Sequence, residues 1–134
     1  MSAALIAAGC IALLATAIHG VVGDRIVVQR LSRETLAASR FGGPRMTKAM
    51  IHVSWHITTF AFFLVAVALL LAGSVLDGDA KRALALLAAA GFTGYALIAI
   101  GIGAYYNRSP RNLLRHPAPA VLGTGAALAW LGAL

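Results

Sequence analysis

An all-α, polytopic membrane bundle of four helices is the fold class this sequence predicts, and three observations carry the prediction. Hydrophobic residues make up 60% of the 134 and charged residues only 11%. Mean hydropathy is +0.86, so a water-soluble fold would lack the polar surface to cover its core, and lipid becomes the solvent. The apolar residues are also gathered into four runs with the charges between them. None of the runs shows the alternation of a strand, and a membrane barrel needs far more chain. The length leaves room for one transmembrane domain, residues 1–134, and no separate soluble one.

The first run, about residues 3–28, exceeds the roughly 20 helical residues that cross a hydrocarbon core and carries Asp24 and Arg25 near its end. No basic stretch precedes it, so it reads as a retained helix and not a cleaved leader. Its Cys10 is the chain's single cysteine, which excludes an intrachain disulfide or a CxxC motif and suits a small hydrophobe. The second helix is expected over residues 48–73, the third over 83–106 and the fourth over 117–134. Asp77-Gly78-Asp79 marks a tight turn, and Pro117 or Pro119 suits the first turn of the last helix. Small residues crowd the third and fourth helices, as in Ala99-x-x-x-Gly103 and Gly123-x-x-x-Ala127, spacings that allow close helix approach in lipid.

Between the first two helices lies a basic segment, residues 30–45, in which Leu31, Leu36, Ala37 and Phe41 are interspersed with Arg33 and Arg40 before Gly42-Gly43-Pro44. That pattern suits a chain lying among headgroups. The first connection with its flanks holds Arg25, Arg30, Arg33, Arg40, Arg45 and Lys48; the third holds Arg108, Arg111 and Arg115; the second holds only Lys81 and Arg82, offset by Asp77 and Asp79. Nine basic residues against two place the first and third connections in the cytoplasm and both termini outside. The expected location is a bacterial inner membrane. The formal charge of +7 then meets anionic lipid headgroups, and nucleic acid is not a partner.

Ionisable groups inside lipid cost several kcal/mol unless paired or hydrated, so each needs a reason. His19 and Asp24 stand near the end of the first helix; His52 and His56, one turn apart, form a stripe on the second with Arg45, Lys48 and Thr59. Tyr105, Tyr106 and Asn107 end the third helix, and His116 precedes the fourth. All fall on the cytoplasmic side of the expected topology. At about 1.5 Å rise per residue, an antiparallel hairpin leaving the membrane near Arg30 sets Asp24 level with His52 and His19 level with His56, whereas one leaving at Asp24 sets His19 level with His52. On an α-helical wheel, however, His19 and Asp24 face different neighbours.

The string His19-Gly20-Val21-Val22-Gly23-Asp24-Arg25, followed by Trp55-His56-Ile57-Thr58-Thr59, resembles a group of small bacterial four-helix integral membrane proteins with H-x-x-x-G-[E/D]-R and W-H-x-[T/S]-[S/T] elements. The matching elements span about a fifth of the chain. Asp24 stands where that group more often has Glu, one methylene longer. The resemblance implies the four-helix architecture and points to His19, Asp24, Trp55 and His56; it brings no activity with it.

Three functions fit these residues. In the first, favoured on sequence alone, the histidines and Asp24 hydrogen-bond across helices at about 1 kcal/mol per pair. The protein is then a non-enzymatic accessory or scaffold subunit of a larger membrane complex, or a homo-oligomer. The second is a cofactor protein in which His19 with His52 or His56 supplies axial ligands to a haem, or His52 and His56 bind a transition metal with His19 as third ligand. The third, relay or transport of a proton or small solute, meets an outer half that is almost wholly apolar. There is no H-E-x-x-H, and the histidine stripe contains no carboxylate, which disfavours metal-assisted hydrolysis.

Overall fold

The computed structural model of the chain is all-helical, and it describes residues 1–107 and 116–134. Helix α1 spans Ala3–Ala17 and continues without a break as a π-helix over Ile18–Val28. Helix α2 spans Pro44–Ser74, α3 spans Gly78–Asn107 and α4 spans Pro117–Ala133. Among the described residues there is no strand, only one isolated bridge between Ser39 and Gly42. Arg108, Ser109, Pro110, Arg111 and Arg115 of the third connection lie outside the described residues, as does the side chain of Asn107.

Three segments, Ala3–Val28, Pro44–Ser74 and Gly78–Tyr106, are long and apolar enough to cross a membrane. The fourth helix has 17 residues, at the lower end of the roughly 17–25 that cross a hydrocarbon core, and is a shorter apolar helix beside these three. Two helices begin earlier than the apolar runs suggest. Pro44 opens α2 four residues before the expected start, since its fixed φ and missing N–H suit the first turn of a helix. At the first residue of α3, Gly78 takes a left-handed φ of 58°, which a side chain would resist, and Lys81 N–H then bonds Asp77 C=O at 3.4 Å. His116 caps α4: its ring nitrogen Nδ1 accepts from Ala118 N–H at 3.2 Å.

The chain forms two compact units, residues 14–63 and residues 1–13 with 64–134. In the second of these, buried side chains are small, chiefly Ala8, Ala66, Ala72, Ala85, Ala89 and Ala129, with Leu5, Leu69 and Phe92 as the large members. Large residues enter the spaces that glycines leave. A Cβ on Gly125 would stand 2.6 Å from the ring of Phe92, one on Gly132 would stand 2.6 Å from Leu5 Cγ, and one on Gly9 would stand 2.7 Å from Leu70 Cγ. In lipid, where apolar burial gives helices little reason to associate, this close approach and its dispersion contacts supply the attraction. Trp130 Nε1–H adds a directional bond to Thr93 Oγ1 at 3.0 Å, and Thr93 donates to Ala89 C=O at 2.8 Å.

Gly125→Ala must therefore displace Phe92, and we expect a loss of about 1–3 kcal/mol. Gly94 has nothing within 4 Å of an added Cβ, so Gly94→Ala should stay within about 0.5 kcal/mol of the parent. Detergent unfolding of both variants checks the contrast.

Candidate metal centre

In the unit of residues 14–63, the π-helix runs beside the first turns of α2. A π-helix closes i→i+5 hydrogen bonds, so residues five apart lie nearly above one another. Gln29 N–H to Asp24 C=O, at 2.9 Å, is such a bond. His19 and Asp24 thus fall on one line toward α2, with Gln29 reaching back to Asp24, where an α-helix would splay them. Two glycines on the same stretch let α2 approach: a Cβ on Gly20 would stand 2.6 Å from Thr59 Cγ2, and one on Gly23 would stand 2.7 Å from Trp55 Cζ2.

His19 occupies the upper part of this line. Its ring stacks on Trp55, centroids 4.2 Å apart and planes 9° apart, and meets Phe62 edge-on at 5.3 Å. Trp55 Nε1–H donates to His19 C=O at 2.9 Å. Thr59 Oγ1 donates its proton to Trp55 C=O at 3.0 Å, so at the 2.8 Å contact with His19 Nδ1 the imidazole must be the donor. That leaves the His19 proton on Nδ1 and the lone pair on Nε2. His19 and Trp55 also line an open groove of about 490 Å³ with Thr47, Met50, Ser54 and Thr58.

Five residues further on, Asp24 is the buried charged group of the unit, its side chain 10% exposed. Gln29 Nε2–H donates to Asp24 Oδ2 at 2.6 Å and so orients the carboxylate. The other oxygen, Oδ1, lies 2.9 Å from His52 Nε2 and 3.7 Å from His56 Nε2. The two ring nitrogens are 3.1 Å apart. Despite these short distances Oδ1 accepts no hydrogen bond of acceptable direction. Both imidazoles are about half exposed, at 46% and 50%.

Proton counting leaves one contact of this cluster unmatched. Each ring nitrogen either carries a proton or offers a lone pair, and an ionised carboxylate only accepts. Three such atoms in a triangle cannot make every pair a donor and an acceptor; one pair is always alike. A cation relieves this, because all three can offer lone pairs to it. The triangle with edges of 2.9, 3.1 and 3.7 Å has a point about 2 Å from all three corners, which is the distance zinc keeps from His nitrogen and carboxylate oxygen. Asp24, His52 and His56 form a group of residues that could hold a metal ion.

The third group meeting His52 and His56 is therefore Asp24, from the preceding helix, while His19 is engaged by Thr59 and Trp55. The histidine stripe of α2 does acquire a carboxylate, across helices and not along one. Gln29 escaped the sequence reading, because a wheel of α-helical pitch separates it from Asp24 by the same angle that separates Asp24 from His19. Lys48 Nζ–H donates to Gln29 C=O at 3.2 Å and to Leu31 C=O at 2.8 Å, which ties the basic segment to α2. Tyr105, Tyr106 and His116 belong to the other unit. The tyrosines stack edge-to-face at 5.0 Å, both exposed, and His116 is the cap of α4.

No family model, no curated protein and no solved structure matches the chain.

Gly23→Val should wedge Trp55 away and open the contact between the two helices, at a cost of about 1–3 kcal/mol. In a Trp130→Phe background, a red shift of the remaining Trp55 emission together with earlier unfolding in detergent would show it; an unchanged spectrum would refute the close approach.

Proposed function

We propose that the protein is a multi-pass membrane protein that binds one first-row divalent transition metal through Asp24, His52 and His56. The observation that supports this reading is the convergence of Asp24 Oδ1 and two Nε2 atoms within 3.7 Å, with the buried oxygen left without a hydrogen bond. An ion pair between Asp24 and one protonated imidazole uses one histidine, whereas a bound cation draws on both. Gln29 supplies the outer support that metal-bound carboxylates usually have. Two imidazoles and one carboxylate suit zinc, iron, cobalt or manganese in their divalent states. A bare ion is favoured over haem as the partner of this pair. His52 and His56 lie on one helix with their Nε2 atoms 3.1 Å apart, a cis arrangement, whereas two axial haem ligands approach from opposite faces.

The setting we infer is a bacterial inner membrane, with the basic connections in the cytoplasm and both termini outside; the skewed distribution of Arg and Lys supports this. The metal then sits toward the cytoplasmic leaflet. Alkaline phosphatase fused after Leu134 should be active in cells and a fluorescent protein there dark; the reverse pattern would overturn the orientation.

Metal binding is measured on purified protein in detergent, stripped with chelator and titrated with zinc or cobalt against a competing dye. We expect one ion per chain. Asp24→Asn or a His52→Ala/His56→Ala double variant should lose at least about 100-fold in affinity, and Gln29→Ala about 10- to 100-fold. His19→Ala should keep the stoichiometry of one. A parent protein that binds no stoichiometric ion, or a double variant that binds as the parent does, refutes the metal centre.

A further inference from the structure

We propose that the metal held by Asp24, His52 and His56 keeps exchangeable positions on its exposed side and that these take a phosphate oxyanion. The inference rests on the metal reading above. Its first support is geometric. The point about 2 Å from all three donor atoms lies close to their plane, and because divalent ions of this series take four to six ligands, three protein donors leave positions unfilled. Within residues 14–63 the remaining histidine, His19, is held on Thr59 by Nδ1 and against Trp55 by its ring face. The half-exposed imidazole edges of His52 and His56 leave the approach open. Three protein ligands with an open remainder is the pattern of a site that binds something beyond the ion.

Charge selects what that is. The single carboxylate of the site offsets half the charge of a divalent ion, and its second oxygen is occupied by Gln29. Residues 14–63 contain two acids, Asp24 and Glu34, against six Lys and Arg residues, and Glu34 is engaged by Ser32 at 3.1 Å. Arg45 and Lys48 share the helical face of His52 and His56, at spacings of three, four and four residues. Lys48 is pinned beside Gln29, whose side chain holds Asp24. A net positive ion with cations along the same face attracts an anion, and an oxygen donor bearing more than one charge gains most. Phosphate has that chemistry and is supplied at this level of the membrane by a lipid headgroup or by the aqueous phase.

The test uses the full chain loaded with cobalt, gel-filtered and placed in nanodiscs, with the visible cobalt bands as readout. In phosphatidylcholine discs, saturable change of the bands by inorganic phosphate supports a soluble source. Bands already changed in phosphatidate discs, and no longer responsive to added phosphate, support a headgroup source. In either arm Arg45→Gln should weaken the response about tenfold while one cobalt per chain is retained. If cobalt binds one per chain yet its bands are the same in both discs and indifferent to phosphate, the anion site is overturned and the metal centre stands. Failure to bind cobalt overturns both.

Discussion

A buried carboxylate in an apolar helix bundle has to be neutralised or bonded, and much of the local structure around residues 14–63 follows from how Asp24 meets that demand. Burial of an unpaired charge is among the costliest events in lipid. Asp24 uses one oxygen to accept from Gln29, five residues on, and turns the other to two imidazoles of α2. The first contact requires a helix in which residue i+5 lies above residue i. The second requires α2 to come close enough for short histidine side chains to reach. Both requirements are visible in the chain: the stretch Ile18–Val28 is a π-helix, and Gly20 and Gly23 remove the side chains that would keep α2 away.

Attraction between helices is obtained differently in the two units. Residues 1–13 and 64–134 rely on glycine and alanine, with Leu5, Leu70 and Phe92 filling the spaces beside Gly132, Gly9 and Gly125. One indole-to-hydroxyl bond, Trp130 to Thr93, adds direction. Residues 14–63 use polar side chains far more: an indole donates to a helix carbonyl, an imidazole to a hydroxyl, an amide to a carboxylate. Individual bonds of this kind contribute about 1 kcal/mol in lipid. They fix orientation more than they add stability.

Fold class was legible because it follows from composition and length: four apolar runs have no other economical arrangement, and the spans Ala3–Val28, Pro44–Ser74 and Gly78–Tyr106 appear where hydropathy puts them. Helix ends were less so. Pro44 and Gly78 act through backbone geometry, which lets α2 and α3 start before their apolar stretches do. In the candidate site, counting residues at helical rise left Asp24 or His19 level with His52, and the structure pairs Asp24 with it. Which side chains share a face did not. An α-helical wheel separates His19, Asp24 and Gln29, and the π-helix that aligns them leaves no periodic mark in a run of Ile, Val and Gly. Trp55 and Thr59 belonged to the resemblance and to the stripe of α2, but their bonds to His19 depend on glycine contacts that only three-dimensional packing reveals.

A π-helix of 11 residues is an unfavourable choice for a membrane segment with nothing to gain from it. Its hydrogen bonds are all still made within the segment, so lipid tolerates it, yet an α-helix of the same residues would do as well for merely crossing the membrane. What the wider turn provides is alignment: it puts a carboxylate and its amide support in register with two histidines one α-turn apart on α2. Departures from the locally preferred conformation tend to be kept where function depends on them. Here the departure, the buried anion, the unbonded Oδ1 and the converging imidazoles all fall within one short hairpin. Their coincidence in one place is the support for the metal-centre proposal.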